Sequence, residues 1–325
     1  MKNILFLSIV ILLTTVSCNT KPTVTETQLP SSNLRITYTR LYEDQIFSEF
    51  YEIDVTCITN IEICVGEPKL LFRSLNVPNN ENDTPKGFIT DYSWSPDGKK
   101  IALVSGRDIL VSDIETQNWV NITHNSDIDE YDLEWSPDGK ALYYVVCSRD
   151  YSGMCLPEFH KSDPKGEEKS TLLSSISKYI NSFDISPNGT EIVYSITTNQ
   201  GYDQIYKANL DGTKMTQITS GDINNNKPSF SPDGQKIAFV RYYYRVKADI
   251  IVRDIISGDE IILTENFENE SFFPAFSPDG NWILFHAFDQ DLNHNVYVVS
   301  LESGNIIQIT ENNESGSPAW RRIIN

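Results

Sequence analysis

Four histidines, His124, His160, His286 and His294, are the first candidates for metal ligation or proton transfer. A metal site needs several ligands converging on one point. Nothing in this spacing brings three imidazoles together, so no metal is expected. The segment Asp289-Gln-Asp291-Leu-Asn293-His294 begins like a calcium loop, with oxygen-bearing side chains at alternate positions. His294 stands where that loop needs glycine, and Ser300 stands where it needs a bidentate acid. It reads as a solvated acidic loop. No Gly-x-Ser-x-Gly elbow, no His-Glu-x-x-His pair and no phosphate-binding glycine loop occurs. No catalytic residue and no cofactor is therefore assigned.

Five cysteines offer different chemistry. Residues 4–17 form a short apolar run behind Lys2, too short for a bilayer span and of the length of a signal-peptide core. The run ends in Thr15-Val16-Ser17-Cys18, which resembles a bacterial lipobox with threonine in place of its leucine. The expectation is a signal peptide over 1–17, cleavage before Cys18, and lipid on Cys18 anchoring the chain to a membrane surface. Ordinary secretion and an uncleaved anchor are the alternatives. Residues 18–33, rich in Thr, Ser and Pro, read as a linker. The other cysteines fall in two close pairs, Cys57 with Cys64 and Cys147 with Cys155. Three connectivities are open to four cysteines. In an exported chain the two local disulfides are the expectation, against four buried free thiols.

The chain of 325 residues carries 45 acidic against 26 basic side chains, a net charge of −19. That excludes sequence-independent nucleic-acid binding, which needs a basic surface. Against this background Arg241-Tyr242-Tyr243-Tyr244-Arg245-Val-Lys247 is the one basic, aromatic cluster. Tyr and Arg anchor protein interfaces more often than other residue types, so Tyr242, Tyr243, Tyr244 and Arg245 are the candidate partner-binding residues. The bland reading is that the tyrosines pack at a sheet end and the charges are solvated.

The elements that would position these groups follow from a repeat. Ser-Pro-Asp-Gly occurs at Ser95, Ser136, Ser231 and Ser277, with Ser186-Pro-Asn-Gly between, giving spacings of 41, 50, 45 and 46 residues. Proline presets the first central position of a tight turn, and glycine accepts the left-handed conformation that closes it. An aromatic or apolar residue precedes each turn: Trp94, Trp135, Ile185, Phe230 and Phe276. A short apolar run follows, so each copy reads as strand, hairpin, strand. In the last three copies a third strand, a glycine turn and a fourth strand ending in Thr219, Thr264 or Thr310 come after. Each threonine lies 33 residues beyond its turn serine. Four antiparallel strands per repeat of this length make a propeller blade. Arg35–Arg40, Phe50–Val55 and Lys69–Phe72 read as second, third and fourth strands that lack a first. Ser317-Pro-Ala-Trp320 supplies the missing one and closes a sixth blade.

Repeats of the form aromatic-Ser-Pro-Asp-Gly-x-x-Ile-Ala-Phe, ending in Leu/Ile-Thr, resemble the six-bladed TolB-type propeller, over roughly residues 34–324. Related propellers cap prolyl-oligopeptidase-like enzymes. The expectation is an all-β, six-bladed β-propeller over 34–325, held outside the cytoplasm by an N-terminal lipid. It would act as a binding or scaffolding module for an envelope protein or a small ligand. The alternative is a propeller enzyme, a carbohydrate-active lyase or hydrolase, with its site in the central channel. For that role the first strands offer mainly Asp91, Glu134 and Asp184. The end of the propeller opposite the tight turns carries loops of variable length, including Arg241–Lys247, and is the expected docking face.

Overall fold

A computed structural model describes residues 34–322, apart from 42–47, 60–61, 75–88, 106, 125–128, 150–154, 173–179, 244–246 and 312–314. Cys18, Tyr244 and Arg245 therefore lie outside the described residues, as do the signal-peptide and linker expectations. The chain enters through β1 (Leu34–Leu41), β2 (Ser48–Ile58), β3 (Ile63–Val65) and β4 (Lys69–Arg73). Five blades follow in order. The first contains β5 (Ile89–Trp94), β6 (Lys100–Ser105), β7 (Asp108–Asp113) and β8 (Trp119–Asn121), and the next β9 (Asp129–Trp135), β10 (Leu142–Arg149), β11 (Cys155–Ser162) and β12 (Lys169–Leu172). Then come β13 (Ile180–Ile185), β14 (Glu191–Thr197), β15 (Asp203–Asn209) and β16 (Thr216–Gln217), followed by β17 (Asn224–Phe230), β18 (Lys236–Tyr243), β19 (Lys247–Asp254) and β20 (Glu260–Ile262). The last full blade holds β21 (Glu270–Phe276), β22 (Trp282–Phe288), β23 (His294–Ser300) and β24 (Ile306–Gln308), and β25 (Ser315–Arg322) ends the chain. All pairings among the described residues are antiparallel, and they join consecutive strands except where β4 pairs with β2 and where β25 pairs with β1 and closes the ring. In the closing blade the fourth strand is split into β3 and β4, both on β2. The fold is the six-bladed β-propeller that the repeat spacing predicts.

Each turn is built by its serine. Ser95 Oγ donates to Asp97 Oδ1 at 2.6 Å and accepts from Lys100 N at 2.9 Å, while Gly98 N donates to Ser95 O at 2.7 Å. The same bonds recur at Ser136, Ser186, Ser231 and Ser277, with Asn188 in place of aspartate in the third copy. The terminal threonines have an equally constant task. Thr123, Thr219, Thr264 and Thr310 each accept, through Oγ1, the backbone N–H of Ile109, Ile205, Ile250 or Val296 on the third strand. This explains the fixed serine-to-threonine distance of the last three repeats. A hydroxyl at the end of the fourth strand ties it to the third where the ladder is too short to do so.

Packing between blades is apolar. Second and third strands such as β6, β22 and β23 are buried nearly throughout. Trp94, Trp135, Phe230 and Phe276, each just before a turn, wedge between neighbours with 5–8 % exposure. Several indole N–H groups find partners on adjacent blades: Trp135 Nε1 donates to Ser93 O at 3.1 Å, and Trp320 Nε1 to Ala275 O at 3.1 Å.

Closure adds ionic contacts to this pattern. Arg321 Nη1 meets Glu52 Oε2 at 2.7 Å with both side chains at most 6 % exposed, and Arg35 holds both oxygens of the same carboxylate. Arg321 also donates to Gly98 O at 2.9 Å and lies 4.2 Å over the Trp94 ring. Trp94 Nε1 donates to Thr37 Oγ1 at 2.8 Å, and Tyr92 Oη to Ser317 O at 2.7 Å. The first turn is thus pressed onto the closing strand. Gly98 has φ +68°, and an added Cβ would strike the Arg322 carbonyl. Gly304 has φ +70° with open space around it. Comparing the two separates backbone strain from closure. Gly304→Ala should cost about 1–2 kcal/mol, the left-handed penalty for a side chain. Gly98→Ala should cost clearly more, because the closing strand must also move. Chemical denaturation of both variants measures the difference, and equal losses would mean the turn does not bear on closure.

Candidate functional site

The six first strands surround the central channel, a cavity of about 490 Å³. That size lies within the ~300–1,000 Å³ typical of ligand sites. Two equivalent positions of each strand recur in its lining, four and two residues before the turn serine. One ring reads Asp91, Asp132, Ser182, Lys227, Phe273 and the matching Ser317 of β25, and the other Ser93, Glu134, Asp184, Ser229, Ala275 and Ala319. Charge is therefore unevenly spread. β5, β9 and β13 present four carboxyls, β21 and β25 present an apolar wall, and Lys227 on β17 stands between them.

First strands in a propeller have no strand partner on their channel edge, so their amides need other acceptors. The polar ring provides several. Asp91 Oδ2 accepts from Leu133 N at 2.9 Å, Asp132 Oδ2 from Phe183 N, Asp184 Oδ2 from Phe230 N at 2.6 Å, and Ser182 Oγ from Lys227 N at 2.9 Å. Each acceptor sits one blade before the amide it satisfies. The second oxygens of Asp91 and Asp184 take the amides of Tyr92 and Ile185. Register shifts interrupt the first-to-second strand ladders, and Asp132, Lys227, Phe273 and Ser317 have φ between 44° and 54°. A left-handed backbone is uncommon at such residues and unusual for phenylalanine. It turns these side chains into the channel.

Burial shapes the acids. Desolvation, reinforced by the Asp132 charge, raises Asp91 to about 6. Desolvation also raises Asp184 to about 6 although strand amides oppose it, and holds Glu134 well above the usual carboxylate range, with the Asp184 charge adding to the effect. Ser93 Oγ donates to Glu134 Oε2 at 2.9 Å. Lys227 Nζ reaches past β13 to Asp132 Oδ1 on β9 at 2.8 Å and lies 5.3 Å from the Phe273 ring centroid. Desolvation opposes the ammonium, yet Asp132 raises the Lys227 pKa above its ordinary value.

The sequence reading named Asp91, Glu134 and Asp184 but missed Asp132 and Lys227. Their signal was the constant offset from the turn serine, which places them level with Asp91. Tyr242 and Tyr243 point to opposite faces of β18, as alternation requires. Tyr242 packs 5.7 Å from Phe272, whereas Tyr243 lines a cleft with Arg241, Arg253, Glu260 and the neighbouring blade's Thr219 and Ser220. Arg241 is committed to Asn225 and Glu260 at 2.8 Å each. Cys147 and Cys155 form a disulfide. Cys57 and Cys64 are opposite one another in the β2–β3 register, and Cys64 is disulfide-bonded, while the Cys57 side chain lies outside the described residues. His286 Nε2 and His294 Nδ1 are 2.8 Å apart, a pairing their spacing did not reveal. Among the described residues no three His, Cys, Asp or Glu side chains converge as metal ligands. Asp289 spends Oδ1 on the amides of Asp291 and Asn293, which makes its loop a tight turn.

These acids make stability depend on pH in an unusual direction. Asp91 and Asp184 hold protons up to about pH 6 when folded, against 3.8 in the ordinary state. Glu130, buried between blades and pushed up by desolvation, holds one up to about pH 8, against 4.5. The folded state binds more protons in these windows, so stability present below them is lost as pH rises through about 4 to 8. Below that range the turn aspartates Asp97, Asp138 and Asp233, all shifted down, lose their bonds on protonation. The thermal midpoint should peak in mildly acidic solution and fall by about 5 °C or more by pH 8. Glu130→Gln should flatten the part between pH 6 and 8. A midpoint that rises steadily to pH 8 would contradict the assignment.

A profile described as TolB beta propeller domain matches residues 227–322. An uncharacterized protein of Agrobacterium fabrum is 26 % identical over 167 residues, 47 % of this chain and 54 % of that protein. Dipeptidyl-peptidase 5 of Porphyromonas gingivalis is 34 % identical over 61 residues, 17 % of this chain and 9 % of the peptidase. The matches thus span about half of the first relative and a tenth of the second. Among solved structures, TolB from Acinetobacter baumannii superposes with a TM-score of 0.71 at 21 % identity, covering 90 % of this chain and 67 % of TolB. A chain of a nidogen–laminin complex superposes at 0.63 with 10 % identity, covering 89 % and 98 %. Repeat, blade order and likeness agree: the chain folds as a six-bladed β-propeller, similar to that of TolB.

Proposed function

We propose that this propeller is an exported, membrane-tethered binding module that docks an envelope protein on the end carrying its long loops. The observation behind this reading is the contrast between the two ends. One carries the five Ser-Pro-Asp/Asn-Gly turns, with Gly139, Gly189, Gly234 and Gly280 each placed so that a Cβ would lie 3.6–3.8 Å from the preceding turn's proline. That end is a uniform, self-packed ring. Loops of differing length and chemistry occupy the other, on a scaffold rigid enough to hold them. The likeness to TolB supports a place outside the cytoplasm, and the Cys147–Cys155 disulfide is in keeping with one.

Convergent acids were the feature that would favour an enzyme, and Asp91, Asp132, Glu134 and Asp184 do converge. Both oxygens of Asp91 and Asp184 accept strand amides, however. That is the work of structural staples and leaves binding as the better reading.

Two measurements test the proposal. Full-length protein crosslinked in its own cells should lose tenfold or more of its captured partner when Tyr242, Tyr243, Tyr244 and Arg245 become alanine. A control set on the tight-turn end, Glu115→Ala, Ile256→Ala and Glu302→Ala, should capture normally. Loss in the control set alone would place the docking face at the wrong end. The tether is tested at Cys18, where mass spectrometry should find a diacylglycerol-modified N-terminal cysteine. Cys18→Ser should move the folded propeller into the soluble fraction, and an unmodified Cys18 in membrane-bound protein would rule the tether out.

A further inference from the structure

The Lys227 ammonium occupies a built cation site. Its nitrogen lies 2.8 Å from a carboxylate oxygen of Asp132, a side chain only 12 % exposed, and 5.3 Å from the centroid of the Phe273 ring. A carboxylate on one side and an aromatic face on the other is a standard way to hold an alkylammonium or a guanidinium. Both partners come from strained, left-handed positions, with φ 54° at Asp132 and 53° at Phe273. Backbone strain of that kind collects at functional sites. Phe273 keeps 43 % of its surface exposed although it is among the larger apolar side chains of the propeller interior. The Lys227 side chain is itself 32 % exposed. The cation is reachable from the channel.

A single ammonium does not balance its surroundings. Asp91, Asp132 and Asp184 sit on neighbouring strands of the same arc, and the chain as a whole carries −19. An approaching anion meets repulsion, whereas a cation is drawn in.

We infer that Lys227 is an internal stand-in for a lysine or arginine side chain of the docked protein, which enters the channel, takes Asp132 and Phe273, and displaces Lys227. This rests on the docking reading above and adds the chemistry of the segment that enters. Because the propeller already fills the site with its own ammonium, the incoming side chain gains only the difference between the two. Intact protein should therefore bind a lone lysine weakly, and removing Lys227 should strengthen that binding.

Calorimetric titration of the full-length protein in detergent tests this, with the peptide Ac-Gly-Ser-Lys-Ser-Gly-NH2 and its acetyl-lysine and glutamate counterparts as probes. Lys227→Met should bind the lysine peptide tenfold or more tightly than the unaltered protein, with no gain for the other two peptides. Adding Phe273→Leu to Lys227→Met should reverse much of the gain. Asp132→Asn should abolish it, and since Asp132 also holds the Phe183 amide, the leucine variant carries this arm if the asparagine variant does not fold. Unchanged affinity in Lys227→Met, or an equal gain for all three peptides, overturns the inference. In that event, loss of partner capture by the tyrosine-cluster variant would leave the docking face standing. Normal capture by that variant together with tight lysine-peptide binding would instead remove the docking face and keep the cation site.

Discussion

A propeller has to satisfy the channel edge of its innermost strands, and this constraint governs most of what is distinctive here. Each first strand is paired on one side only. An amide left without an acceptor in a confined, poorly hydrated space costs about 1–3 kcal/mol. The chain meets the demand on one arc with carboxylates and hydroxyls that reach forward by one blade, from Asp91, Asp132, Ser182 and Asp184 to Leu133, Phe183, Lys227 and Phe230. The bonds run in one direction around the ring, so each blade orients the next.

That solution creates the chemistry of the channel. The acids recruited to hold amides lie close to one another and to Glu134 with little water, which raises Asp91 and Asp184 to about 6 and keeps Glu134 far above its ordinary value. One positive charge within this arc is then stabilising, and Lys227 supplies it through Asp132. On the opposite arc Ala275 and Ala319 bring no charge to the wall. The unevenness gives the channel a preferred side for a ligand, which a symmetric ring of identical repeats would lack.

Closure follows different physics. Between consecutive blades the join is covalent as well as packed, but β25 meets β1 through non-covalent contacts only, strand pairing and the Thr37 and Thr39 hydroxyls on the Ala319 and Gly316 carbonyls. The added contacts concentrate there: Arg321 with Glu52 and Trp94, Tyr92 with Ser317, and Gly98 against Arg322. A buried ion pair is costly to desolvate and costly to break. At a seam this favours one register of the closing strand, since a slip by one residue would strand both charges.

Much of the architecture was legible in the amino-acid sequence because it rests on local chemistry. The five turns need Ser, Pro and Gly at fixed positions, and the threonine 33 residues later needs its hydroxyl at the end of a fourth strand. Such requirements repeat with the blade, so their period counted the blades and found the closing strand. Their shared place just before each turn likewise set Trp94, Trp135, Phe230 and Phe276 between sheets. The channel was legible only in outline, as three acids on first strands. The reach of Lys227 across 95 residues to Asp132 depends on how six strands are arranged about an axis. The contact of His286 with His294 depends on the register of β22 against β23. Tyr242 and Tyr243, adjacent in the chain, were parted by the pleat onto different neighbours. Local chemistry determined the repeat, whereas the meeting of residues from different repeats was decided by the ring's geometry, which no single repeat contains.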